Sequence, residues 1–383
     1  MLYLFFYKDT KNYDTKISIF SIYLQSLIVV MKKQTKPNIC SKITFNRKHI
    51  PIYITATIIG IIVLFYVALY LSVPSFSFEE PHPFKGKFVY NPYQNISETN
   101  WQYYDFRNEN AENTQLPVYE YGYGIFPTKY LCIDYQSKRI IDYPLFQNIH
   151  FKQHNINCLS KKCGLVILAH PSKGFKLREM KHLDNYKALE VFSPHGTHFD
   201  YWDMALSSGH RVNAIASNIY KSNDDFISKT VINQADESNN SIVNSVKNGD
   251  SYIVSFRKNN PEIPELKSLI FINDTMFVRA SKRIEEIRFI GQDGILKDSL
   301  VDVDQGIYVF SNDDSYIRTE MRFDDGTTIY LNPLTRHEFQ YFFDPSLSYM
   351  MKARTWLMRF VYIFATIFFI KYLLSNKKED NDC

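Results

Sequence analysis

Three apolar runs in the middle of the chain each lead into residues that can do chemistry. Residues 165–169 lead into His170-Pro171, residues 188–192 carry Glu190 and lead into Ser193-Pro194-His195, and residues 212–216 lead into Ser217-Asn218-Ile219-Tyr220. Imidazole and carboxylate are ligands for a divalent ion, whereas an amide and a neutral phenol bind such ions weakly. A second cluster, His195-Gly196-Thr197-His198, is followed by Asp200 and Asp203. Histidines at i and i+3 chelate on a helix, but Pro194 and Gly196 argue for a loop, with Asp200 capping the helix that follows. Ser172 follows His170-Pro171 without a Gly-x-Ser-x-Gly elbow, and the chain carries neither a phosphate-cradling loop nor a dinucleotide fingerprint.

The elements that must position these residues follow from periodicity. Residues 176–185 and 199–208 have helical character, and the second segment stops at the helix-ending Gly209. The order is therefore strand, helix, strand, helix, strand. Continuous apolar strands alternating with helices predict a parallel sheet buried on both faces, with chemistry gathered at the carboxyl edge. His170 and Asn218 fall at that edge, with Glu190 beside them.

The same residues carry a family resemblance. Ile167-Leu168-Ala169-His170-Pro171, Leu189-Glu190-Val191, Tyr201-Trp202-Asp203-Met204-Ala205-Leu206 with Ser208-Gly209, and Arg211-Val212 resemble the polymerase and histidinol phosphatase (PHP) family of metal-dependent phosphoesterases. The resemblance implies a (β/α) barrel whose last strand closes on Asp-x-His; here that motif reads Asn218-Ile219-Tyr220. Extended upstream, it sets Lys87-Phe88-Val89-Tyr90-Asn91-Pro92 where the family begins with a strand and His-x-His, so Tyr90 and Pro92 replace both histidines. It also sets Glu120, in Pro117-Val118-Tyr119-Glu120-Tyr121-Gly122, where the family has a metal-binding Glu, whereas no Asp-His step is found in residues 100–114. Asp203, beside the packing Trp202, reads as a barrel-building residue. Members of the family hold two or three divalent ions that activate water and neutralise phosphate oxygens. His170 and Glu120 alone cannot fix two ions, since a stable zinc site takes about three protein ligands.

At 383 residues, 45% hydrophobic and 22% charged, the chain can bury one large core or two moderate ones, and a net charge of +4 without an extended basic face excludes a dedicated nucleic-acid binder. Residues 50–73 are uncharged, and about 24 residues of 1.5 Å rise exceed a bilayer core. Lys32, Lys33, Lys36, Lys42, Arg47 and Lys48 precede this run and Glu79 and Glu80 follow it, which puts the N-terminus in the cytoplasm and the body outside. Residues 355–374 form a second apolar segment, interrupted by Arg359 and Lys371, which snorkel toward opposite faces; an amphipathic interfacial helix is the other reading. Residues 1–30 precede Met31-Lys32-Lys33, which has the look of a protein start. Cys158 and Cys163 are close enough in sequence for a loop disulfide in an oxidising compartment. Between Pro261 and Pro264 the texture changes, and residues 266–343 alternate as short strands with turns at Asp293-Gly294 and Asp325-Gly326, the pattern of a small antiparallel sandwich.

These observations combine into one expectation: a distorted PHP-type α/β barrel over residues 84–260, a β-sandwich over 266–343, and transmembrane helices at 50–73 and 355–374, between cytoplasmic tails at 1–49 and 375–383. The body is expected to be an extracytoplasmic, non-catalytic binding or scaffolding domain of the cytoplasmic membrane. Its pocket would comprise Glu120, His170, Glu190, Asn218 and Tyr220, with no metal centre. The partners are the lipid bilayer and an extracytoplasmic ligand or protein, not nucleic acid. The alternative is a phosphoesterase with one divalent ion on His170 and Glu120.

Overall fold

A computed structural model describes residues 50–94, 101–107, 116–217, 226–233, 238–339 and 347–379. The chain divides into a unit of residues 65–364 and a second unit of residues 1–64 and 365–383, in which the described parts are helical.

The chain enters through helix α1 (Ile50–Leu71), followed by the short strands β1 (Phe76–Phe78), β2 (Phe88–Tyr90) and β3 (Trp101–Tyr104). A first sheet then forms in near-continuous order. β4 (Val118–Tyr121) and β5 (Lys129–Tyr135) make an antiparallel hairpin. Helix α2 (Ile149–Leu159) starts at Asn148, whose side chain accepts from the N–H groups of His150 and Phe151 and so satisfies two orphan donors. β6 (Cys163–Ala169) runs antiparallel to β5. After the single turn α3 (Pro171–Gly174) and a 3-10 turn at Leu177–Lys181, β7 (Ala188–Ser193) lies parallel to β6. β8 (Gly196–Thr197) folds back on β7, helix α4 (Phe199–Ser207) crosses over, and β9 (Asn213–Ala216) pairs parallel to β7. Leu168, Ala169, Leu189, Val191 and Ala216 are buried, and so is Trp202 of α4, whose indole N–H donates to Val212 O at 2.8 Å. A fully apolar strand face and a packed helix together give this layer one continuous core.

The chain then leaves that sheet. β10 (Phe226–Asn233), helix α5 (Asn239–Asn248) and β11 (Ser251–Arg257) follow, α5 ending on Gly249 at φ 89°, the left-handed cap that glycine adopts without a Cβ penalty. β12 (Leu266–Ile272), β13 (Thr275–Ala280), β14 (Ile284–Ile290), β15 (Leu296–Val303), β16 (Gly306–Val309), β17 (Tyr316–Arg322), β18 (Thr328–Leu331), β19 (Leu334–His337) and β20 (Ser348–Met350) precede helix α6 (Lys352–Glu379). Nine strands share one sheet along the order β15-β14-β17-β18-β11-β10-β3, with β19 on β17 and β2 on β19. β12, β13 and β16 form a three-stranded sheet, and Leu269, Met276, Val278, Ile287, Phe289 and Met321 fill the core shared with the large one.

This architecture overturns the expected α/β barrel flanked by transmembrane helices: the protein is mostly β, in several sheets, and among the described residues no barrel closes. The physical reason lies at the edge of β9. A barrel would continue there with a backbone ladder, but the N–H of Ala214 donates to the Asn332 side chain at 2.8 Å, and Ala216 exchanges N–H and C=O bonds with the Thr230 hydroxyl at 2.9 and 3.0 Å. Thr230 and Asn332 are buried, so these side chains satisfy the edge that another parallel strand would otherwise cover. β10 and β11, inside the range expected to form the barrel, instead pair antiparallel with each other in the nine-stranded sheet.

Among the described residues, no helix is long and apolar enough to cross a membrane, which corrects the two expected spans. Arg354, Arg359 and Lys371 interrupt α6. At the end of α1, Tyr70 is drawn into the body: its ring packs on Tyr143 and Phe151, and its hydroxyl accepts from Leu145 N at 2.8 Å. The loop disulfide that the spacing of Cys158 and Cys163 allows does not form. Cys163 on β6 is bonded to Cys132 on the neighbouring β5, and Cys158 is free.

One buried ion pair ties α4 to the large sheet. Arg318 of β17 donates to both Asp203 oxygens, at 2.7 and 2.9 Å, and to Glu320. Burial works against the guanidinium charge, but the bonds from Asp203 outweigh it and hold the Arg318 pKa above its ordinary value. Gly294 leaves the room: a Cβ there would stand 2.7 Å from Asp203 Oδ2, and its φ of 71° disfavours other residues.

Candidate functional site

β4, β6 and β7 bring three of the five expected pocket residues together. Glu120 comes from β4, His170 follows β6, and Glu190 lies in β7; Asn218 and Tyr220 fall outside the described residues. His170 sits at φ 46°, ψ 56°, in the left-handed region, immediately before Pro171. That conformation is costly for a residue with a Cβ and more so before proline, on the order of 1–3 kcal/mol. Its N–H donates to Glu190 Oε2 at 2.7 Å, which holds the turn and aims the imidazole at the carboxylates. His170 Nε2 lies 3.7 Å from Glu120 Oε2 and Nδ1 lies 3.3 Å from Glu190 Oε2, the latter without the alignment of a hydrogen bond.

The centre of the cluster is a residue that the sequence did not single out. Arg107, in the turn after β3, donates through Nε to Glu190 Oε1 at 3.0 Å, through Nη2 to Glu190 Oε2 at 3.2 Å, and through Nη1 to Glu120. Glu190 is fully buried, so its charge is met by a bidentate guanidinium in a water-poor setting. Burial opposes the charge of Arg107, yet Glu190 and Glu120 raise its pKa overall. The other oxygen of Glu120 faces Lys129 Nζ at 3.0 Å, at the start of β5. Burial alone would raise the Glu120 pKa; the neighbouring His170, Arg107 and Lys129 outweigh it and hold the carboxyl far below the usual range. His195 is exposed, its ring centroid 4.7 Å from that of His170, whereas His198 is buried and shares a 3.0 Å hydrogen bond with Ser193 Oγ. The two histidines of the 195–198 turn therefore do not converge on a common point.

A divalent cluster does not fit this donor set. A guanidinium already takes three of the four carboxylate oxygens at the centre and an ammonium takes the fourth, so a metal would have to displace two cations to reach them. Among the described residues, no group of three or more His, Cys, Asp or Glu side chains is arranged to hold a metal ion. Nothing in the sequence of residues 100–114 sets Arg107 apart as a partner of Glu120 and Glu190. The local signal is modest: Asp105 accepts the N–H of Arg107 at 3.1 Å, an Asx-type turn that directs the following side chain.

No family model matches the chain, and no similar sequence is found among curated proteins.

Proposed function

We propose that residues 65–364 form a binding or scaffolding body without phosphoesterase activity, working in an extracytoplasmic, oxidising compartment. The observation that carries this reading is the Arg107 guanidinium held between Glu120 and Glu190. A covalently attached cation neutralises the carboxylates without offering an open coordination position, so it polarises no water into a nucleophile. The outer polar groups, Lys129, His195 and the partly exposed Glu120, form a fixed surface of donors and acceptors for an extracytoplasmic ligand or protein. The Cys132–Cys163 disulfide supports the compartment, since such bonds persist outside the reducing cytosol.

The test is metal analysis of the purified full-length chain, together with manganese and zinc titration and turnover of bis-p-nitrophenyl phosphate. The expected result is no stoichiometric ion and no hydrolysis above buffer. A bound ion near stoichiometry, with turnover that His170→Ala abolishes, would overturn the proposal in favour of a one-metal phosphoesterase.

A further inference from the structure

Two loops near the candidate site carry exposed apolar side chains. The β4–β5 connection begins two residues after Glu120 and exposes Tyr123, Ile125 and Phe126; the segment between β5 and α2 exposes Ile140, Ile141 and Phe146. Exposure reaches 71% at Ile125, 88% at Ile140 and 73% at Phe146, far more than isolated surface hydrophobics need. The two loops form one surface. Phe126 stacks on Phe146 with ring centroids 5.3 Å apart, Ile125 N donates to Pro144 O at 2.9 Å, and Tyr123 N donates to the buried Asp142 carboxylate at 2.6 Å. These bonds hold the tips in place, so the apolar side chains are presented by a fixed frame.

Two further observations say what covers them. First, Leu145 N donates to the Tyr70 hydroxyl at the end of α1, where Phe65, Tyr66 and Val67 are also exposed, and Arg359 donates to Ser72 O at 2.9 Å from α6, where Trp356, Phe360 and Phe364 are exposed. The loop surface is therefore continuous with exposed apolar helix ends. Second, the polar groups around it are basic: Arg139 donates to Ile141 O, Lys138 stands over the Tyr119 and Tyr135 rings, and Lys161, Arg354 and Arg359 act on the α2 histidines. The carboxylate among them, Asp142, is buried and bonded to backbone and amide N–H groups. Apolar tips ringed by arginine and lysine match the acyl and headgroup layers of an anionic bilayer, whereas a water-soluble protein partner would need complementary acidic groups.

We propose that the rim formed by residues 123–126 and 140–146 inserts into the headgroup interface of an anionic lipid bilayer, seating the body on the membrane surface beside the Arg107 site. The inference is independent of whether that site binds or hydrolyses anything.

The test uses the full-length chain with Cys40, Cys158 and Cys383 changed to Ser, leaving the Cys132–Cys163 disulfide, and a nitroxide attached in turn at Ile125→Cys, Ile140→Cys and Ile295→Cys, the last an exposed site on the β14–β15 connection. In vesicles of equal parts phosphatidylcholine and phosphatidylglycerol, the first two labels are expected to collide with oxygen several-fold more than with a nickel chelate, and the third to favour the chelate. Adding Phe126→Asp with Phe146→Asp should return position 140 to water while circular dichroism stays unchanged. Equal chelate access at all three positions would overturn the proposal. So would immobilisation and spin–spin broadening at position 140 in vesicle-free protein, which would mean that a second copy of the chain covers the rim.

Discussion

Replacing Arg107 with methionine removes the charge and its donors while keeping an unbranched chain of similar reach. The Glu190 carboxylate is fully buried and would retain one backbone donor, His170 N, while losing both guanidinium bonds. Removing one partner of a buried pair costs about 3–5 kcal/mol, because the stranded charge has no solvent to return to. That figure sets the expected loss for Arg107→Met, read as a fall in the urea midpoint at unchanged slope. Glu190→Gln in the same background removes the stranded charge and keeps an acceptor for His170 N, so the double variant should recover about half of the loss or more. The pH dependence follows from Glu120, whose carboxyl is held low in the folded state mainly by His170, Arg107 and Lys129 acting against burial. A depressed folded pKa gives stability that is present above the unfolded carboxylate value of about 4.3 and lost as pH falls below it. Acid denaturation should therefore be shallower in Arg107→Met than in the parent. A loss under about 1 kcal/mol, or a double variant no better than the single, would refute the view that Arg107 is the internal counter-ion of this site.

Asp203→Ala should cost about 2–3 kcal/mol in urea unfolding, because the buried Arg318 loses two of its bonds and keeps Glu320 as its remaining carboxylate, and Arg318→Met should partly rescue it. Cys132→Ser with Cys163→Ser opens a loop whose ends are 31 residues apart, for an expected loss of about 4 kcal/mol by chemical denaturation. Asp250 is pushed up to about 6, chiefly by burial and against the pull of Arg211; its stabilising contribution is complete below the unfolded pKa near 3.9 and lost as pH rises through about 6. Asp250→Asn should then melt higher than the parent at pH 7.5 but not at pH 3.5, and parallel melting profiles across that range would contradict the burial argument.

Local order was legible where the signal is local. The apolar runs before His170, through Glu190 and before Ser217 are three parallel strands, and the helix expected over residues 199–208 spans Phe199–Ser207, with Gly209 following it at φ 82°. What could not be read is how far the parallel pattern continues. Thr230 and Asn332 come from strands and loops 14 and 118 residues away from the β9 positions they bond, and no periodicity near β9 announces them. The same limit hid the disulfide: Cys158 and Cys163 are near in sequence, but Cys163 lies on the strand paired with the one that carries Cys132, and those two are bonded with Cα atoms 5.6 Å apart. His170 is marked by its place after an apolar strand and Glu120 by the family resemblance alone, whereas Arg107 follows a short strand of the other large sheet and meets them only in three dimensions.

The meeting of those two sheets explains why the site holds charge without needing an ion. Glu190 lies in a strand with apolar neighbours on both sides, where a lone carboxylate would be expelled or protonated. A metal could neutralise it only after binding from solution and with enough ligands to keep it there. Arg107 arrives with the chain, stays protonated under all ordinary conditions and spans both carboxylates with one planar group. Folding itself thus completes the site, and the left-handed turn at His170 is stabilised by the same carboxylate that receives the guanidinium. Such a site is charge-balanced before any partner arrives, which is what the proposed recognition through its outer groups requires.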